Sequence, residues 1–188
     1  MYEGRLTVIA GCMFASKSDH LISFMTQEKF RKRTTLCFKP QRDTRYATDK
    51  IVSHNGVSME CIPVENAAAI EAYVEPWKQN GQCKMSLGID EAQFFDPAIA
   101  PVLSTLAMDG FRIFVSGLDL DSFGHPFGSM PELMAYADKV IKLHAQCVIC
   151  GENATRTYRK PDVTKDVVHV GGKDSYEPRC ADCWKEEI

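Results

Sequence analysis

LTVIAGCMFASKS, running from Leu6 to Ser18, holds a strand, a tight loop and the first turn of a helix. Leu6 to Ala10 is a short apolar run rich in β-branched residues, the pattern of a buried strand. A loop opens at Gly11. From Lys17 to Phe30 the apolar residues Leu21, Ile22, Phe24 and Met25 recur at near-helical spacing, which predicts a helix. The eight residues between the two elements, Gly11, Cys12, Met13, Phe14, Ala15, Ser16, Lys17 and Ser18, nearly fit the pattern G-x-x-x-x-G-K-[ST]. In such a loop backbone N–H groups and the helix N-terminus point at phosphates. Lys17 neutralises the β/γ oxygens and Ser18 offers its hydroxyl to Mg²⁺. The second glycine of the pattern is Ser16 here. If that position needs positive φ, a non-glycine costs about 1–2 kcal/mol, partly compensated if its hydroxyl donates to phosphate.

Outward from this loop, strands and helices alternate. Thr34 to Phe38 reads as a strand, Gln41 to Gly56 as a long polar loop, Met59 to Val64 as a strand, and Asn66 to Trp77 as a helix started near Glu65 or Asn66. Met85 to Asp90 reads as a buried strand, Pro97 to Met108 as a helix, Phe111 to Val115 as a strand, Pro131 to Ala137 as a short helix, and Val140 to Leu143 as a further strand. The alternation predicts an α/β fold: a P-loop parallel sheet flanked by helices. The character changes after Leu143, where paired cysteines and Gly171-Gly172 appear. The expected division is residues 1–143 for nucleotide binding and 144–188 for a small metal-binding module.

MSLGIDEAQFF places Asp90 and Glu91 at the carboxyl end of a predicted strand. Ligands bind at that edge of parallel sheets. Asp90 suits a role on Mg²⁺, and Glu91 suits taking a proton from an attacking hydroxyl. Taken alone, two carboxylates at a strand end more often begin a solvated loop. Their place beside a phosphate cradle favours the functional reading.

Charge excludes some partners. The 188 residues carry a net charge of −3, without the basic excess that blanketing nucleic acid needs. No apolar stretch is long enough to span a bilayer, and no secretory signal is visible. The expected compartment is the cytoplasm, where the eight cysteines stay reduced.

Several stretches, read together, resemble the thymidine kinase family of cellular and bacterial type. They are GCMFASKS, KPQRDTRY (Lys39 to Tyr46), SHNG (Ser53 to Gly56), IDEAQFF (Ile89 to Phe95), GLDLDSFGHPFG (Gly117 to Gly128), CVICG (Cys147 to Gly151), TRTYR (Thr155 to Arg159), and GGKDSY with the final CADC (Gly171 to Cys183). The resemblance implies transfer of the γ-phosphate of ATP to the 5′-hydroxyl of thymidine, with Glu91 as general base. It implies that Asp43, Arg45 and Gln93 help organise ATP and Mg²⁺. Met13, Phe94, Leu118, Phe123, Phe127 and Thr157 would wall the sugar and base. A lasso from about Val167 to Tyr176, through Val168, His169, Val170 and Gly171, would read the base edge with its backbone. It also implies a homo-oligomer, a tetramer by analogy. Besides Ser16, this sequence departs from the family pattern at Asp19, His20, Ser122 and Ala181.

Cys147-x-x-Cys150 and Cys180-x-x-Cys183 form two thiol pairs. Each can aim two sulfurs at one tetrahedral ion, and four thiolates leave no open position, so the expected metal is a structural Zn²⁺. A redox C-x-x-C and two disulfides are the alternatives. Near these pairs His144 and His169 read as ordinary polar residues. Two other functions fit parts of the pattern: a zinc-ribbon ATPase acting on nucleic acid, and a kinase homologue weakened by Ser16.

Overall fold

A computed structural model describes residues 5–41, 49–53, 55–78, 84–161 and 174–184. Its elements, in chain order, are β1 (Leu6–Gly11), α1 (Lys17–Phe30), β2 (Thr34–Pro40), β3 (Lys50–Val52), β4 (Ser58–Glu60), β5 (Ile62–Val64), α2 (Ala67–Lys78), β6 (Met85–Ile89), a 3₁₀ turn (Ala92–Phe94), α3 (Ile99–Met108), β7 (Arg112–Gly117), α4 (Met130–Tyr136), β8 (Lys139–Leu143), β9 (Ala145–Gln146), β10 (Asn153–Ala154), β11 (Arg156–Arg159) and β12 (Tyr176–Arg179).

Six strands form one parallel sheet in the order β5-β2-β6-β7-β1-β8. Alternation along each strand sorts side chains to its two faces. Leu6, Val8 and Ala10 of β1, Leu87 and Ile89 of β6, and Ile113 and Val115 of β7 pack with Ile70, Leu103, Leu106 and Leu133 of α2, α3 and α4. On the opposite face, Ile9, Cys37 and Phe114 meet Leu21, Ile22 and Met25 of α1. Gly88 lets α1 lie close: a Cβ there would sit 3.0 Å from both Met25 and the Cys37 sulfur. Asn66 starts α2 as expected, its side-chain oxygen accepting from the Ala69 N–H at 3.0 Å, one of the donors a helix start leaves unpaired.

The structure differs from the sequence reading in two places. The stretch read as a loop from Gln41 to Gly56 contains β3, which pairs antiparallel with β4. The single strand expected over Met59–Val64 is two, β4 and β5, belonging to different sheets. Cys61 separates them, and its N–H donates to the Asp49 carbonyl at 2.9 Å.

At the amino edge of the sheet, buried Glu28 of α1 ties three elements together. Its carboxylate accepts from Arg31 at 2.8 Å, Arg112 at 3.1 Å and the Ser86 hydroxyl at 2.7 Å, with Arg33 at 3.2 Å. A carboxylate this deep is tolerated only when fully paired. Glu28→Gln should therefore lower unfolding free energy by about 2–3 kcal/mol, less than a wholly buried pair because the arginines reach solvent. Denaturant titration reads this directly. Activity at a temperature where the variant is folded should stay near wild type, since Glu28 lies at the edge opposite the site.

Candidate active site

Parallel strands bring their carboxyl ends to one edge. β1 ends there at Gly11, β6 at Ile89 just before Asp90 and Glu91, and β7 at Gly117 just before Leu118. Three loops read from the sequence as functional thus leave from one edge of one sheet.

The first is the phosphate loop. Gly11 has φ 147, and a Cβ there would lie 2.4 Å from the Leu143 carbonyl oxygen, so only glycine fits. Phe14 and Ser16 both have left-handed backbones, φ 66 and 56, and each costs about 1–2 kcal/mol. The positive φ considered for Ser16 is therefore what the structure has. Its exposed side chain makes no capping hydrogen bond to α1. Ser16→Gly should then raise stability by about 1 kcal/mol through relief of this strain, without loss of catalytic rate. Thermal unfolding and a coupled assay on both proteins check it. An inactive wild type restored by glycine would instead mark a chain weakened by its serine.

Lys17 begins α1 and folds back so that its ammonium donates to the Cys12 carbonyl at 2.7 Å. Burial lowers its pKa, while Glu91, Asp90 and Asp119 act to raise it. The ammonium and the three carboxylates therefore share one neighbourhood. Ser18 donates to Asp90 at 3.4 Å. The other Asp90 oxygen accepts from the Ser116 hydroxyl of β7, and the Asp90 N–H donates to the Phe38 carbonyl at 2.9 Å. Asp90 is thereby locked between β2 and β7 with one oxygen directed at Ser18.

Glu91 sits at φ 51, the third left-handed non-glycine at this edge. Such strain gathers at functional sites, where the surroundings over-determine the backbone. The determining contact runs through Gln93, which is 3% exposed. Its amide nitrogen donates to the Glu91 carboxylate, and its amide oxygen accepts from the Leu118 N–H at 3.0 Å. Both ends of the Gln93 amide are thus used inside the protein. Gly128 adds a backbone contact between the same two loops: a Cβ there would lie 2.2 Å from the Gln93 carbonyl oxygen.

Aromatic walls follow. Phe94 and Phe127 meet edge to face, with centroids 5.5 Å apart. The Arg159 guanidinium lies over the rings of Phe123 at 5.2 Å and Tyr176 at 5.6 Å. The Met13 N–H donates to the Thr157 hydroxyl oxygen at 3.0 Å, so the phosphate loop touches β11. Asp43, Arg45, His54, Val167, Val168, His169, Val170 and Gly171 lie outside the described residues.

The four C-terminal cysteines converge as their spacing predicts. The sulfurs of Cys147, Cys150, Cys180 and Cys183 all lie within 4.8 Å of one another, with Cys150 and Cys180 at 3.6 Å. A tetrahedral ion with sulfur bonds of about 2.3 Å holds its sulfurs roughly 3.8 Å apart, so the donors fit one metal. Burial raises the pKa of Cys147, but N–H groups of Cys180, Cys150 and Ile149 outweigh it and pull the thiol down to about 6. The Glu152 N–H lowers Cys150, but the neighbouring sulfurs outweigh it and raise that thiol, and they raise Cys183 to about 12. One thiolate thus forms readily, and a metal must displace the remaining protons as it binds.

Sequence reasoning missed Asp119 and Ser116. Asp119 is 3% exposed, and the Lys142 ammonium lies 2.8 Å from one oxygen. Neither oxygen has a hydrogen bond of good geometry, so the ion pair is a charge contact rather than a directed bond. Its position within GLDLDSFGHPFG was the available signal, but the site residues expected from that stretch are the apolar Leu118, Phe123 and Phe127. Ser116 had no local signal, because its role depends on β7 lying between β1 and β6.

Comparison with known proteins agrees with this geometry. The family profile described as thymidine kinase matches residues 4–184. A thymidine kinase of Bacteroides thetaiotaomicron is 40% identical over 182 residues, covering 97% of this chain and 87% of its own length. One of Coprothermobacter proteolyticus is 42% identical over 183 residues, covering 95% and 89%. A solved genome packaging NTPase, B204 of Sulfolobus turreted icosahedral virus 2, superposes with a TM-score of 0.49 at 19% identity, over 77% of this chain and 76% of that one, a likeness too loose to carry detail. With the profile spanning nearly every residue and relatives at this identity end to end, the chain belongs to the thymidine kinase family.

Proposed function

We propose that the chain transfers the γ-phosphate of ATP to the 5′-hydroxyl of thymidine, with residues 1–143 binding nucleotide and residues 144–188 closing over the nucleoside. The observation that carries this reading is the meeting of the Gly11–Ser18 loop with Asp90 and Glu91 at one sheet edge, where the Ser18 hydroxyl reaches Asp90 at 3.4 Å.

The polyphosphate lies along the loop amides, and Lys17 exchanges its bond to the Cys12 carbonyl for the β/γ oxygens. Glu91, held by Gln93, orients the 5′-hydroxyl and takes its proton as the oxygen bonds to the γ-phosphorus. The bond from that phosphorus to the bridging oxygen breaks, and ADP leaves with the electron pair. Ser18 and Asp90 form a hydroxyl and carboxylate pair suited to Mg²⁺, with Asp43 as a further donor. The ion, when bound, spreads the negative charge of the transferring group. Phe94, Phe127, Leu118, Phe123, Met13 and Thr157 exclude water, so that ATP is not hydrolysed. Backbone groups of residues 167–176 read the thymine edge.

The metal of the four cysteines is zinc in this reading, because four thiolates in a closed tetrahedron suit it and leave no site for chemistry. Assembly as a homo-oligomer and a cytoplasmic location belong to the same reading, by family analogy. No helix among the described residues is long and apolar enough to cross a membrane.

Purified protein given γ-labelled ATP should yield labelled thymidine monophosphate, and ATP consumption should depend on added thymidine. Consumption unaffected by thymidine but stimulated by DNA or RNA would replace the kinase with a nucleic-acid ATPase.

A further inference from the structure

The phosphate loop contains Phe14 and Ser16 in left-handed conformations. Strained backbone persists only where the surroundings fix it, and the Ser16 side chain makes no capping bond to the helix that follows. Contacts from the C-terminal module reach the loop on Cys12, Met13 and Ala15, beside the two strained residues. The Cys12 thiol donates to the Ala154 carbonyl of β10 at 3.2 Å, and both residues are buried. The Met13 N–H donates to Thr157 of β11. Cys12 and Ala15 share one buried cluster with Ala154 and with two of the metal-site cysteines, Cys147 and Cys180.

Ala154 is itself set by the first cysteine knuckle. It pairs with Ala145 across the β9–β10 hairpin, and within that hairpin the Cys147 N–H donates to the Glu152 carbonyl at 2.8 Å. Cys12 meets this hairpin with its sulfur and Lys17 with its carbonyl oxygen. One residue therefore joins the knuckle to the phosphate-binding ammonium.

We infer that Cys12 is a positioning residue through which the cysteine module holds the phosphate loop in its strained shape, so that nucleotide binding and metal retention are coupled. The inference rests on the reading of Gly11–Ser18 as the ATP site. Linkage makes the coupling reciprocal: a metal that favours the loop shape is itself held more tightly when nucleotide occupies the loop, and typical couplings are about 5–150-fold. A cysteine that merely fills space predicts no such exchange.

The test uses zinc-loaded full-length protein. Zinc affinity is measured by competition against a chelator at buffered free zinc, with and without a saturating non-hydrolysable ATP analogue, in wild type, Cys12→Ala and Cys12→Ser. Wild type should hold zinc about tenfold more tightly with the analogue bound. Cys12→Ala should show less than a twofold change, and Cys12→Ser, which keeps a donor for Ala154, should recover part of it. Equal zinc affinity with and without analogue in wild type, while a fluorescent ATP analogue still binds, overturns the coupling and leaves the kinase reading intact. This arm needs no variant and so survives a misfolded alanine mutant. Full coupling retained in a folded Cys12→Ala overturns the role of Cys12. Failure of wild type to bind the fluorescent analogue removes the ATP-site reading and the coupling with it.

Discussion

Glu91→Gln should lower kcat by about 10³-fold while changing the KM for ATP little, because general-base catalysis contributes on the order of 10²–10⁴. The substitution keeps shape and hydrogen-bonding capacity. Gln93 donates to the Glu91 carboxylate, and the oxygen of an amide at position 91 can accept the same bond, so the turn and its link to Leu118 survive. What disappears is the ability to receive the proton of the 5′-hydroxyl. Loss of the Glu91 charge removes one of the carboxylates that keep the buried Lys17 ammonium charged, but the bound polyphosphate supplies negative charge in its place, so ATP affinity changes little. The split between an intact ATP site and a lost chemical step is the signature to measure, by steady-state kinetics and direct nucleotide binding. Turnover unchanged in the variant would remove Glu91 from the role of base.

Removing the metal should have the other large effect. β9 and β10 pair over two residues each and β11 and β12 over four, and isolated two-stranded ribbons of this size are marginal in water. The described module buries few apolar side chains: Cys147, Ala154, Tyr176, Pro178 and Cys180. In the proposed reading a bound metal replaces a core, and its binding free energy would be folding free energy. Cys180→Ser, or stripping with a strong chelator, should release the ribbon that carries Thr157 and Tyr176, lowering activity at least about 100-fold and abolishing stoichiometric zinc. Re-adding zinc to the stripped wild type should restore both, whereas Cys180→Ser should stay inactive. Full activity in protein shown to be metal-free would refute the structural role.

The sequence made legible what is encoded locally. The bounds of α1 follow from a loop glycine, a phosphate-loop pattern and the spacing of Leu21, Ile22 and Met25, and the structure has Lys17–Phe30 as expected. The cysteine pairs converge because two residues between thiols suffice to aim both at one ion. What was not legible depends on long-range neighbours. β3 is only three residues long, too short for alternation to show, and it exists because Ile51 is buried against the α1 face of the sheet. The role of Gln93 requires Leu118 to arrive from another strand, and that of Ser116 requires β7 to lie beside β6. Glu28 carries no local signal, because its partners Ser86 and Arg112 reach it only through the fold. At Ser16 the pattern flagged the position, but only the backbone angle of 56° gave the strain its sign.

The most direct measurement is a crystal structure of the zinc-loaded protein with a bisubstrate analogue joining adenosine and thymidine through a phosphate chain. The account predicts phosphates along the amides of Gly11 to Ser18 with Lys17 turned onto them, and the thymidine 5′-oxygen within hydrogen-bonding distance of the Glu91 carboxylate. An analogue bound elsewhere, or a 5′-oxygen facing away from Glu91 with the phosphates seated in the loop, would contradict it.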